Sequence, residues 1–60
     1  MKKKLIEFSS FLRITVEDRE DYQEKRSEKW LESERGEEYI ELTESLAALL
    51  ELTEEVIEKI

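Results

Sequence analysis

The sequence predicts an all-α protein, and three observations carry the prediction. Tyr39, Leu42, Leu46, Leu49, Thr53, Val56 and Ile60 fall at alternating three- and four-residue steps, the spacing that holds one helical face against a partner. Charged residues, mostly the strong helix formers Glu, Lys and Arg, make up 45% of the chain. Proline is absent and glycine occurs once, at Gly36. Sixty residues form at most one domain, read here as three parts: residues 1–15, 16–35 and 37–60.

Residues 1–15 admit two readings. Leu12, Ile14 and Val16 alternate with Arg13 and Thr15 at strand spacing, whereas Leu5, Phe8 and Leu12 share a helical face. The expectation is a short helix or an extended arm, in either case held down by its apolar residues. Thr15 followed by Asp18 then resembles a capping box, and acids at 17, 18, 20 and 21 suit the positive end of a helix dipole. A polar helix over residues 16–35 follows, with Asp21 and Lys25 forming an i,i+4 pair. Gly36 has the placing of a left-handed residue that ends a helix, which predicts a helical hairpin turning there. One long helix through Gly36 is the competing reading.

Over residues 37–60, Leu50 and Ile57 widen the heptad stripe, and Ala47, Ala48 and Leu52 add to it. So broad a stripe suits a helix with more than one neighbour. The polar middle helix cannot cover it, and a domain of this size is marginal alone. The sequence therefore predicts a homodimeric helical bundle with Leu42, Leu46, Leu49, Leu50, Val56, Ile57 and Ile60 at the dimer interface.

Seventeen acids stand against ten bases, a formal net charge of −7. Residues 1–16 are net +3, residues 17–38 net −5 and residues 39–60 net −5. Such a chain repels nucleic acid and is drawn to a basic protein surface. Cysteine and histidine are absent, so disulfides and zinc staples are not expected, nor is an oxidising compartment. Lys2 to Ile6 resemble the start of a signal peptide, but Glu7 interrupts the apolar stretch, and no run approaches a membrane span. The expected location is the cytoplasm.

The carboxylates invite an acid–base or metal reading. Bundle metal sites add an inward histidine, and the EF-hand pattern of acids and glycine is missing. Glu17, Asp18, Glu20, Asp21 and Glu24 read instead as a solvated face, and no enzyme activity, cofactor or small-molecule substrate is expected. Trp30 has two readings: a binding anchor among charges, or a lid closing the turn with Leu31 against Tyr39 and Ile40. The acidic surface likewise either solubilises the chain or steers it to a basic cleft. Residues favoured for partner contact are Asp18, Asp21, Tyr22, Lys25 and Glu28.

Arg26-Ser27-Glu28-Lys29-Trp30-Leu31-Glu32-Ser33-Glu34-Arg35-Gly36-Glu37-Glu38-Tyr39, with Thr43 and the leucine-rich tail, resembles a pattern in short acidic proteins of tailed bacteriophages. The resemblance covers about half the chain and transfers no site. It implies a viral protein acting in the host bacterial cytoplasm, of the class that binds and disables an antiviral defence or nucleic-acid-processing enzyme. Two other classes stand beside this one: an oligomerisation accessory working through the apolar stripe, and a modulator of host transcription machinery.

Overall fold

The computed structural model describes all sixty residues, 90% of them helical, with no strand. Helix α1 spans Lys2–Glu24, α2 Glu28–Glu32 and α3 Glu34–Lys59. The two long helices run antiparallel, as the Arg13–Glu54 ion pair and the Arg19–Thr43 hydrogen bond require, since the partners on α3 run backwards as α1 runs forwards. The result is a rod of 44 × 15 × 12 Å.

Three expectations about boundaries are corrected. Residues 1–15 are neither a separate short helix nor an arm; they are the first part of a continuous 23-residue helix. Local signals alone do not account for this, because α1 opens on three lysines, has no acid in its first turn and no side-chain cap. What holds it is packing: Leu12 and Val16 are buried against α3, which overrides the strand-like alternation around Ile14.

The polar helix over residues 16–35 is also not one element. The chain leaves α1 through tightened bonds in which the Lys25 and Arg26 N–H groups donate to the Tyr22 and Gln23 carbonyls, both at 3.2 Å. Ser27 then caps α2, accepting from the Trp30 N–H at 3.2 Å. Ser33 ends α2 and starts α3 at once: its hydroxyl donates to the Trp30 carbonyl and accepts from the Gly36 N–H. Glu34 and Glu37 in the first turn of α3, and Lys59 in its last, complement the helix dipole.

Gly36 is therefore not the left-handed end of a helix. It lies in the first turn of α3 without positive φ. Its lack of a side chain serves close approach, since a Cβ there would overlap the Trp30 carbonyl oxygen and stand 2.9 Å from the Leu31 Cα.

Thr43, Leu50 and Ile57 recur every seven residues along α3 as the line facing α1, flanked by half-buried Tyr39, Leu46 and Ala47 and buried Thr53, while Gly36, one heptad earlier, lies against α2. On α1 the matching line is Leu5, Ser9, Leu12, Val16, Arg19 and Gln23. Hydroxyls on or beside this seam are satisfied within their own helices: Ser9 donates to the Ile6 carbonyl, Thr15 to Phe11, Thr43 to Tyr39 and Thr53 to Leu49, at 2.8–3.0 Å. Small polar residues can thus sit between the helices without an unpaired group.

Gln23 is the exception, because its Oε1 is buried with no hydrogen-bond partner. Replacing it by methionine removes that desolvated oxygen at similar volume. The expected gain is about 1 kcal/mol, a rise of roughly 4–8 °C in Tm for a domain of this size, readable by thermal circular dichroism.

Candidate protein-interaction surface

At the end of the rod where the chain turns, three rings meet. Trp30 stands edge-on to Tyr22 and Tyr39 with centroids 5.7 and 5.6 Å apart, and the two tyrosines lie 5.2 Å from each other. Trp30 is half-buried, in the contact with Tyr39 that closes the turn. Two arginines cap the cluster. The Arg26 guanidinium lies 4.9 Å from the Trp30 ring centre, and that of Arg19 lies 3.8 Å above Tyr39. Arg19 also donates from Nε to Thr43 Oγ1 (2.9 Å) and from Nη2 to the Tyr39 carbonyl (3.0 Å), tying α1 to α3 without a carboxylate.

The long sides of the rod differ in kind, and the order of residues explains it. Successive helical residues are about 100° apart, so the neighbours before and after each seam residue point to opposite sides of the pair. In antiparallel helices the same rotational sense leads to the same broad side. Phe11, Leu42, Leu49 and Val56 immediately precede the seam residues Leu12, Thr43, Leu50 and Ile57, and together with Phe8 and Ile60 they give one side an apolar surface. Their exposures are 62%, 51%, 41% and 47%, with Phe8 at 45% and Ile60 at 58%. Tyr22, which precedes Gln23, meets Tyr39 on this side.

Residues that follow the seam tell the opposite story. Glu17, Glu20 and Glu24 on α1 and Glu37, Glu44, Glu51 and Glu58 on α3 are all exposed on the second side, with Arg13 the one base in the set and Ile6 and Ser10 taking these places at the start of α1. Arg13 bonds Glu54 across the seam at 2.6 Å, whereas none of those seven glutamates forms an ion pair. Both partners of that bridge are half-exposed, so it contributes at most about 1 kcal/mol. The acids stand as two rows and do not converge into a cluster able to hold a metal ion.

The contact residues chosen from sequence are scattered by this geometry. Asp18 and Asp21 are exposed on α1, Tyr22 lies on its apolar side, Lys25 stands just past its end, and Glu28 sits beyond the break in the first turn of α2. Asp21 is engaged by Lys25 at 2.9 Å, and this hydrogen bond, reinforced by the charge of the carboxylate, raises the ammonium above its usual range. Deprotonation of the ammonium therefore removes the pair only as pH rises through that elevated value. Tyr22 is drawn into the aromatic cluster. The sequence marks Glu17, Glu20 and Glu24 only as part of a solvated face and does not single out Glu37, Glu44, Glu51 and Glu58, because only the position of the seam separates these seven from the remaining acids.

The residues predicted for the dimer divide as well. Leu50 is buried and Ile57 and Leu46 are half-buried along α1, whereas Leu42, Leu49, Val56 and Ile60 stay exposed. The α3 stripe thus has two parts, one used within the chain and one open. No helix is long and apolar enough to cross a membrane. Comparison with protein-family models, curated proteins and solved structures returns no match.

Proposed function

We propose that this chain is a small binding protein that engages a basic surface of a host bacterial protein and blocks it stoichiometrically. The class of target is an antiviral defence or nucleic-acid-processing enzyme, and the acting species is a cytoplasmic homodimer. The observation that carries the reading is the pair of rows along one side, three glutamates on α1 and four on α3, none of them in an ion pair. Seven residues of helix rise about 10.5 Å, so Glu37, Glu44, Glu51 and Glu58 set like charges at regular intervals over roughly 30 Å. A surface evolved to hold nucleic acid offers cations at intervals along an extended groove, and these carboxylates would occupy them. Asp18 and Asp21 continue the acidic surface around the edge of α1. The likeness of residues 26–39 to short phage proteins supports the choice of target class.

The test joins capture with charge reversal. Tagged protein is used to recover partners from a bacterial lysate, and the partner's own activity is then titrated with wild type and with Glu20→Lys/Glu44→Lys. The expected result is a single nuclease, helicase or polymerase inhibited at one equivalent, with binding weakened at least about 100-fold by the double reversal and by raised salt. Inhibition unchanged by the reversal would reject the acidic side as the contact. The accessory reading, favoured by the exposed apolar side, predicts the reverse sensitivity: indifference to Glu20 and Glu44, and loss of partner on Leu49→Asp.

A further inference from the structure

We propose that the apolar side is covered by a second copy of the chain, laid antiparallel across it about a two-fold axis that runs through the middle of that side. This rests on the homodimer named above and deepens it by assigning the face and the orientation. The monomer is short of core: Leu12, Val16 and Leu50 are its only buried hydrophobic side chains, while Phe8, Phe11, Leu42, Leu49, Val56 and Ile60 stand exposed beside them. Both helices contribute to the exposed set, so two copies meeting there form a four-helix bundle, each helix touching one neighbour within its chain and another across the dyad.

The dimensions fit that occupant. A side of 44 by 15 Å offers roughly 660 Å² per copy, close to the ~800 Å² per partner of a standard specific interface. Assembly also stops there, because the opposite sides carry rows of glutamates that repel one another, which leaves a closed dimer with both acidic surfaces outward.

Charge selects the orientation. Lys2, Lys3 and Lys4 lie at the end of the rod shared with Lys59, whereas residues 17–38 towards the turn are net −5, ten acids against five bases with Arg26 and Arg35 among them. Antiparallel copies bring each lysine cluster over the other's acids. Parallel copies would stack the two lysine clusters, a like-charge arrangement that disfavours that docking. Phe11, the most exposed of these side chains and about 13.5 Å from the start of α1, is covered in both copies, so a charge placed there enters the interface twice.

Sedimentation equilibrium on the full chain is the first measurement. The wild type is expected to be dimeric at micromolar concentration, and Phe11→Glu to raise the dissociation constant at least about 100-fold, with Glu44→Lys on the acidic side leaving it within a few-fold. A wild-type monomer overturns both this inference and the homodimer it rests on. A wild-type dimer insensitive to Phe11→Glu overturns the face alone. Orientation is read on an otherwise intact chain, since it contains no cysteine and Lys4→Cys gives one spin-label site per copy. Antiparallel copies separate the labels by about 30 Å, parallel copies by under about 20 Å, and the shorter distance overturns the orientation even where Phe11→Glu fails to fold.

Discussion

Gly36→Ala is expected to lower Tm by about 10 °C, although glycine to alanine in a helix ordinarily stabilises by about 1 kcal/mol. The reversal of sign comes from position. Gly36 is buried in the first turn of α3, where the backbone of α2 lies directly against it: a Cβ would occupy the place of the Trp30 carbonyl oxygen and press on Leu31. Those are main-chain atoms and cannot swing aside as a flexible side chain would. To admit a methyl group α2 must lift from α3, which disturbs the Ser33 hydroxyl that joins both helices and the packing of Trp30 on Tyr39. Overpacking of this kind costs about 1–3 kcal/mol, and with cap and ring contacts weakened the net loss is put at about 2 kcal/mol after the propensity gain. Thermal unfolding followed at 222 nm decides it, because a rise in Tm would show that the approach of α2 to α3 is not as close as described.

Arg19→Ala carries the next largest effect, about 2 kcal/mol and again near 10 °C in Tm. The guanidinium bonds Thr43 and the Tyr39 carbonyl and covers the Tyr39 ring, so its loss removes two charge-assisted bonds and a cation–π contact between the long helices. Lysine at this position is expected to recover less than half of the loss, since a single ammonium cannot reproduce the planar fork and the stacking together. Arg13→Ala is the control. It removes the same charge from the same helix, but its bond to Glu54 is at the surface and the expected change is under about 1 kcal/mol. Equal shifts for the two arginines would mean that net charge, not the Arg19 contacts, sets the stability.

Much of the fold is legible residue by residue. The apolar spacing after Tyr39 announces α3, and the absence of proline with a single glycine announces helix almost throughout. The breaks were legible too, in Ser27 and Ser33, each followed by glutamate as helix starts prefer, but a run of good helix formers across residues 16–35 outweighed them. Gly36 stands out in the sequence without showing which of two roles it fills. Its composition signal is the same whether a glycine supplies positive φ or admits a neighbouring backbone, and the two differ only in what lies opposite.

The candidate surface was less accessible. Glu17, Glu20 and Glu24 stand among Asp18, Asp21 and other acids, and nothing in the order of charges separates those on one side of the rod from those at its edge. Arg19 looks like one more surface base in the sequence, and only its reach to Thr43 and Tyr39 shows that it joins the helices.

By itself the sequence determined the helical class, the seven-residue period of α3 and the acidic balance, all of which follow from local propensity, spacing and counting. Tertiary structure decided where the chain turns and which line of the broad α3 stripe faces α1. The physical reason is that periodicity fixes the width and direction of an apolar stripe but not which part of it meets a neighbour. That choice belongs to the partner helix: Leu12, Val16 and Arg19 on α1 meet the line of Thr43 and Leu50 on α3. With Leu50 and Ile57 turned inward, Leu42, Leu49 and Val56 are left facing out on one side and the glutamates after the seam on the other.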